Sequence, residues 1–183
     1  MRLIGISGSL RRGSLNTMLL NALAAAAPKD CLLVIESIAG IPLYNGDDEA
    51  TSGIPPAVTR LKEAIAGADG LLLVTPEYNN SVPGVTKNAI DWCSRPPEDA
   101  RKVFGGKPVA LAGASPGGFG TVLSQNAWLP VFRTLGADLW SGSRLLVSRA
   151  ATVFDENGQI KDAAMRDSVR KYIEAFASYV EKR

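Results

Sequence analysis

The residues that could do chemistry in this sequence gather in three short stretches, and histidine is in none of them because the chain has none. That excludes a Ser-His-Asp triad, a histidine-ligated zinc and a histidine general base. Cys31 and Cys93 have neither metal-ligand nor CxxC spacing, and one such pair is poor evidence for an oxidising compartment. Chemistry here must rest on carboxylates or on a cofactor.

The first stretch is Gly8-Ser9-Leu10-Arg11-Arg12-Gly13-Ser14-Leu15-Asn16, which feeds directly into a helical pattern. A phosphate at that helix N-terminus could take backbone N–H groups, the Ser9 and Ser14 hydroxyls, the Asn16 amide and one guanidinium. The stretch is neither GxGxxG nor GxxxxGK[ST], so a dinucleotide pyrophosphate or a triphosphate is a worse match than a terminal monoester. The bland alternative is that Ser14 or Asn16 is only an N-cap and the arginines are solvated. The second stretch, Thr75-Pro76-Glu77-Tyr78-Asn79-Asn80-Ser81-Val82-Pro83-Gly84, is stiffened by two prolines and offers one flat ring and several amides. It suits a planar heteroaromatic with a polar edge, or equally a surface connection with a packed tyrosine. The third, Gly113-Ala114-Ser115-Pro116-Gly117-Gly118-Phe119-Gly120, lets backbone approach a ligand closely or simply connects a strand to a helix. Glu77 is the one obvious carboxylate in the set, and it reads as solvent-facing or inter-subunit rather than as a general acid.

These stretches fall between elements that can position them. Short apolar runs at Leu3–Ile6, Cys31–Ile35, Gly70–Val74, Pro108–Ala112 and Leu145–Val147 read as strands, the third continuously apolar as strands covered on both faces are. Between them run helical patterns with apolar faces at Leu15, Met18, Leu19, Ala22, Leu23 and Ala26, at Val58, Leu61 and Ile65, and at Val85, Ala89, Ile90 and Trp92. A fourth helix spans 121–135, where Pro130 should kink or interrupt it, and a last one shows Val169, Tyr172, Ile173, Phe176, Ala177 and Val180. Five strands alternating with five helices give one doubly wound α/β domain over residues 1–183, in either a flavodoxin-like or a truncated Rossmann order. In both, the three stretches sit at the carboxyl ends of strands, where such sheets bind ligands.

Composition narrows the partners. A net charge of +2 with scattered Lys and Arg gives no footprint for nucleic acid. No apolar run approaches the ~20 residues that cross a bilayer, and the start of the chain does not read as a signal peptide. The expectation is a cytoplasmic protein without membrane insertion.

At these residues the chain resembles the NADPH-dependent FMN reductase family, the flavodoxin-like group that includes quinone and chromate reductases and azoreductase-like enzymes. The GSLRxxSxN pattern of that family is matched from Gly8 to Asn16, and PEYNxSxPGxxKNAIDW from Pro76 to Trp92. The resemblance covers essentially the whole chain and implies the strand order 2-1-3-4-5. It implies that Ser9, Arg11, Ser14 and Asn16, with Leu15 among them, hold the phosphate of FMN. By the same resemblance Pro76, Glu77, Tyr78 and Asn79 line the isoalloxazine with Ser81 close by, and Ser115, Pro116, Gly117 and Gly118 close over ribityl chain and ring. Thr86 departs from the apolar residue common two positions after the PG pair, which bears on helix packing.

The activity so implied is ping-pong reduction of quinones, and of azo- or nitro-aromatics or chromate, with NADPH or NADH passing hydride to flavin N5. Backbone amides of 77–79 would steady the developing charge. The resemblance also implies a homodimer or homotetramer, for which Trp92 and the Pro96-Pro97 turn stand beside the site. A flavodoxin-type single-electron carrier is the alternative, although such carriers are usually strongly acidic; a flavin-based redox sensor is another.

Overall fold

Runs such as Leu71-Leu72-Leu73-Val74 can be buried only if both faces of a sheet are covered, and the computed structural model of residues 1–183 covers both. Strands β1 (Arg2–Ser7), β2 (Leu32–Glu36), β3 (Gly70–Val74) and β4 (Pro108–Ala114) pair in parallel, and β5 (Asp138–Leu139) and β6 (Leu145–Val147) complete the sheet beside β4. The order is β2-β1-β3-β4-β5, the flavodoxin-like one. Val109 is matched by Leu71 on one side and Leu139 on the other, and Ala112 by Val74 and Leu145. The fifth position is therefore filled in two pieces, of which only Leu145–Val147 was expected.

Seven helices flank the sheet: α1 (Leu15–Ala25), α2 (Gly46–Ser52), α3 (Pro56–Ala66), α4 (Gly84–Cys93), α5 (Pro97–Phe104), α6 (Val122–Thr134) and α7 (Ala163–Glu181). Side chains alternate across each strand. Leu3, Leu72, Val74 and Ala110 pack with Leu19, Leu20 and Leu23 of α1 and Val169, Ile173 and Phe176 of α7. Ile4, Ile6, Leu71, Leu73 and Val109 pack on the other face with Leu61, Ile65, Ile90, Phe104, Trp128 and Phe132 from α3 to α6. Each fully buried Leu, Ile or Phe contributes about 1.5–3 kcal/mol against leaving it exposed. Because α1 and α4 lie on opposite faces, the chain leaves β1 toward one side of the sheet and leaves β3 toward the other. The crevice opens between those two exits.

Several expectations need correction. There are two further helices, α2 and α5, where a loop and a turn were expected. Pro130 does not interrupt α6; it is exposed, so the unpaired carbonyl a turn earlier can meet water, while Trp128 and Phe132 on either side are fully buried. Val85 is 40% exposed, and Thr86 takes its place facing inward. No helix is long and apolar enough to cross a membrane.

Candidate functional site

The first stretch leaves β1 at Gly8, where a Cβ would lie 2.7 Å from the Thr86 hydroxyl oxygen and 2.8 Å from Cδ of Pro76. Only glycine lets the exits of β1 and β3 and the start of α4 meet at one point. The Gly8 N–H donates to Val74 O at 2.9 Å, and its carbonyl accepts from the Thr86 hydroxyl at 2.8 Å. Thr86 is thus a buried polar group with its bond made, which accounts for a hydroxyl where an apolar side chain is usual.

Ser14 is the N-cap of α1: its Oγ accepts from the N–H groups of Asn16 at 3.2 Å and Thr17 at 3.3 Å. Capping uses the oxygen as acceptor and leaves the hydroxyl hydrogen free to donate. From Ser9 to Leu15 only Arg11 donates its backbone N–H within the protein, to Ser9 Oγ at 3.3 Å. The N–H groups of Ser9, Leu10, Arg12, Gly13, Ser14 and Leu15 have no protein acceptor. The Arg11 and Arg12 guanidiniums are exposed and form no ion pair. Six unpaired N–H donors, two hydroxyls and an unpaired Arg11 around a helix N-terminus fit one phosphate dianion. Asn16 also has a structural task. Its Nδ2 donates to Ala114 O and its Oδ1 accepts from the Ala114 N–H, both at 2.9 Å, so this buried amide clasps the end of β4 and positions the loop.

The second stretch folds on itself. Tyr78 and Ser81 exchange backbone hydrogen bonds at 3.1 and 3.0 Å, and Asn79 and Asn80 between them have φ of 50° and 60°. Asparagine tolerates that left-handed region, so Asn-Asn makes a tight two-residue turn. Tyr78 stands 44% exposed with its ring available, and the N–H groups of Glu77 and Asn79 have no protein acceptor. Below, Thr75 is fully buried: its hydroxyl donates to Pro76 O at 2.9 Å, meets Ser124 Oγ at 3.0 Å and accepts from Trp128 Nε1 at 3.0 Å. Glu77 is half-buried, and its carboxylate is engaged within the chain. It accepts from the backbone N–H groups of Leu123 at 2.8 Å and Ser124 at 3.0 Å, at the start of α6.

The third stretch begins at Gly113, where a Cβ would fall 2.0 Å from the Thr121 hydroxyl oxygen and 2.4 Å from Thr75 O. Ser115 donates its N–H to Val147 O at 3.0 Å and its hydroxyl to Gly120 O at 2.6 Å, closing the loop, while Gly117 O accepts from the Arg149 N–H at 2.8 Å. Pro116, Gly117 and Gly118 are exposed.

One crevice brings together Ser9, Arg11, Ser14, Leu15, Asn16, Pro76, Glu77, Tyr78, Ser115 and Pro116. Asn79, Ser81, Gly117 and Gly118 stand outside it, at the turn and on the outer part of the third loop. Ala114 lines it as well; sequence reasoning missed it, since an alanine ending an apolar run carries no chemical signal. Neither cysteine offers a thiolate: burial pushes the Cys93 thiol up to about 12 and raises that of Cys31.

The model of the family described as NADPH-dependent FMN reductase matches residues 1–152. An NAD(P)H-dependent FMN reductase of Pseudomonas aeruginosa is 41% identical over 182 residues, spanning 100% of this chain and 96% of that protein. A 2-hydroxy-1,4-benzoquinone reductase of Burkholderia sp. is 39% identical, spanning 100% of this chain and 98% of its own. Among solved structures, the flavoenzyme NAD(P)H:(acceptor) oxidoreductase of Paracoccus denitrificans superposes with a TM-score of 0.88 at 33% identity, covering 99% of this chain and 97% of that one.

Proposed function

Because the chain belongs to the NADPH-dependent FMN reductase family, we propose that the crevice holds FMN and that the protein is an NAD(P)H-dependent reductase of quinones, working by a ping-pong mechanism. The observation that carries the placement is the run of unpaired N–H groups from Ser9 to Leu15 beside the unpaired Arg11. A pyrophosphate would need a longer cradle, whereas this donor set matches one monoester. FMN held here would supply two-electron redox chemistry between a nicotinamide donor and the acceptor.

The chain's own residues bind and orient. The Ser14 hydroxyl, the free N–H groups and Arg11 anchor the phosphate, and Asn16 keeps that loop on β4. Pro76 and Tyr78 give the ring an apolar wall, and the unpaired N–H groups of Glu77 and Asn79 serve its polar edge. A cleft that stacks flat molecules with few directional contacts accepts quinones and related aromatics. The 183 residues act as one FMN-binding domain, and the two free buried cysteines suit the cytoplasm.

We also place this protein in a homodimer or homotetramer. Trp92 does not provide the contact, being 1% exposed and packed edge-on against Tyr44. Exposed apolar side chains on or next to the three stretches include Leu10, Tyr78, Val85, Phe119 and Leu123, from 40% to 83% exposed, and these are offered to a partner. Light scattering at micromolar concentration should give at least twice the monomer mass. Heat-released cofactor should be FMN and not FAD, and double-reciprocal plots at several fixed quinone levels should be parallel with either nucleotide. FAD, or intersecting lines, would refute the cofactor or the shared cleft respectively.

A further inference from the structure

The first N–H groups of any helix need acceptors from outside it. At α6 the residue in the capping position, Thr121, supplies none, because its hydroxyl is turned to Gln125 Nε2 at 3.2 Å. The acceptor comes from 46 residues earlier: Glu77 Oε2 takes the N–H groups of Leu123 at 2.8 Å and Ser124 at 3.0 Å. These are the second and third helical positions, the pair a cap serves, and a carboxylate there also meets the positive end of the helix dipole. Glu77 belongs to the second stretch, and α6 is the helix into which the third stretch runs. One carboxylate therefore joins two walls of the crevice. The buried Thr75–Ser124–Trp128 bonds beneath it tie the same two elements, so the junction is braced at depth and closed at the rim by Glu77.

We propose that Glu77 is a positioning residue for the reductase reaction: it holds the 77–79 backbone, with its unpaired N–H groups, at fixed spacing from the third loop. It thereby sets how strongly the protein favours reduced over oxidised cofactor. Fixed N–H dipoles stabilise charge gained on reduction only while their positions are fixed. The proposal rests on the FMN reading above and goes beyond it, because it assigns the carboxylate no proton to move and no contact with substrate to make.

The test is a redox titration of the holoenzyme as wild type, Glu77→Gln and Glu77→Ala. Glu77→Ala should lose tenfold in its preference for the reduced cofactor, a midpoint about 30 mV more negative for a two-electron couple. Glu77→Gln keeps an acceptor oxygen and should lose about threefold, roughly 15 mV. By the thermodynamic cycle, affinity for the reduced cofactor should fall about tenfold more than affinity for the oxidised one in Glu77→Ala. Without cofactor, amide hydrogen exchange at Leu123 and Ser124 should speed up at least tenfold in Glu77→Ala. An unchanged midpoint in folded Glu77→Ala overturns the proposal, and if that variant does not fold, an unchanged midpoint in Glu77→Gln does so. A wild-type chain that binds no FMN overturns the cofactor reading itself and is recognised before any variant is made.

Discussion

Lys62 and Arg95 on one flank of the molecule, and Arg11 and Arg12 on another, are cations in opposite circumstances. Lys62, only 8% exposed, pairs with Asp99 at 2.6 Å and also donates to Arg95 O. Arg95 pairs with Glu49 at 2.8 Å, Glu49 accepts from the Tyr44 hydroxyl at 2.9 Å, and the Tyr44 ring packs on Trp92. Each of these four charges has a partner, and the cluster pins the excursion around α2 to α4 and α5. At the crevice the cations have no partner, and neither do the N–H groups beside them. A cavity of about 380 Å³ lies beside Lys62 and Asp99, against about 90 Å³ for the crevice, so size alone points away from the crevice proposed for FMN. The proposed placement of the ligand therefore rests on donors left without protein partners and not on volume or charge.

Arg11→Ala should weaken FMN by about 1.5–3 kcal/mol, the loss of a charge-assisted hydrogen bond, and Arg12→Ala by less than half of that. Fluorescence titration of the apoprotein measures both; equal losses would mean that the crevice does not distinguish the two arginines. On the other flank, Lys62→Ala should lower the unfolding free energy by about 1.5–2 kcal/mol in urea while leaving FMN affinity within twofold. Affinity falling in step with stability would dissolve the contrast between the flanks.

The paired flank should also be the acid-sensitive one. The hydrogen bond from Arg95 holds the Glu49 carboxyl below its ordinary 4.5, and that from Lys62 holds Asp99 below 3.8. The folded state therefore binds fewer protons at these groups than the unfolded chain does. Their contribution is complete above the ordinary carboxylate range, starts to fall below it, and is lost as pH passes through the lowered values of the folded state. Stability measured at pH 7 and pH 4 should accordingly drop less in Glu49→Gln than in the wild type. The smallest effect is expected at the crevice. With no histidine present and Glu77 engaged on α6, flavin reduction at saturating NAD(P)H should vary less than about threefold from pH 6 to 8, well under 1 kcal/mol in barrier. A tenfold sigmoid in anaerobic stopped-flow bleaching would show that a protonation state matters after all, and Glu77→Gln would report whether it is this carboxylate.

What could be read from the sequence follows the strength of the physical signal. The five apolar runs and the periodic faces of α1, α3 and α7 are where burial decides conformation, and they were legible to within a residue or two. Helix α2 was not, because it buries no residue; it forms from the Asn45 cap, three acidic residues in its first turn and the tether through Glu49. Helix α5 hid behind Pro96-Pro97, which reads as a turn although proline also opens helices, and only Val103 and Phe104 at its end are buried. At the crevice the residue types were legible but their division of labour was not. Nothing in the sequence says that Asn16 bonds to Ala114 or that Glu77 caps a helix 46 residues away, because those are contacts between elements. The same holds for Trp92, whose cover is Tyr44 from its own chain.

The divided fifth strand has a bearing on how these molecules behave when crowded. A foreign strand approaching that edge finds two residues of β5, an interval from Trp140 to Arg144, and then three residues of β6. Such an edge cannot template a continuous ladder, which guards against chain-to-chain β-addition. The opposite edge, β2, is unbroken over five residues and turns Leu32 and Ile35 outward at 63% and 43% exposure. Aggregation of this protein, where it occurs, should start from β2, and Leu32→Lys should slow it while Leu139→Lys should not.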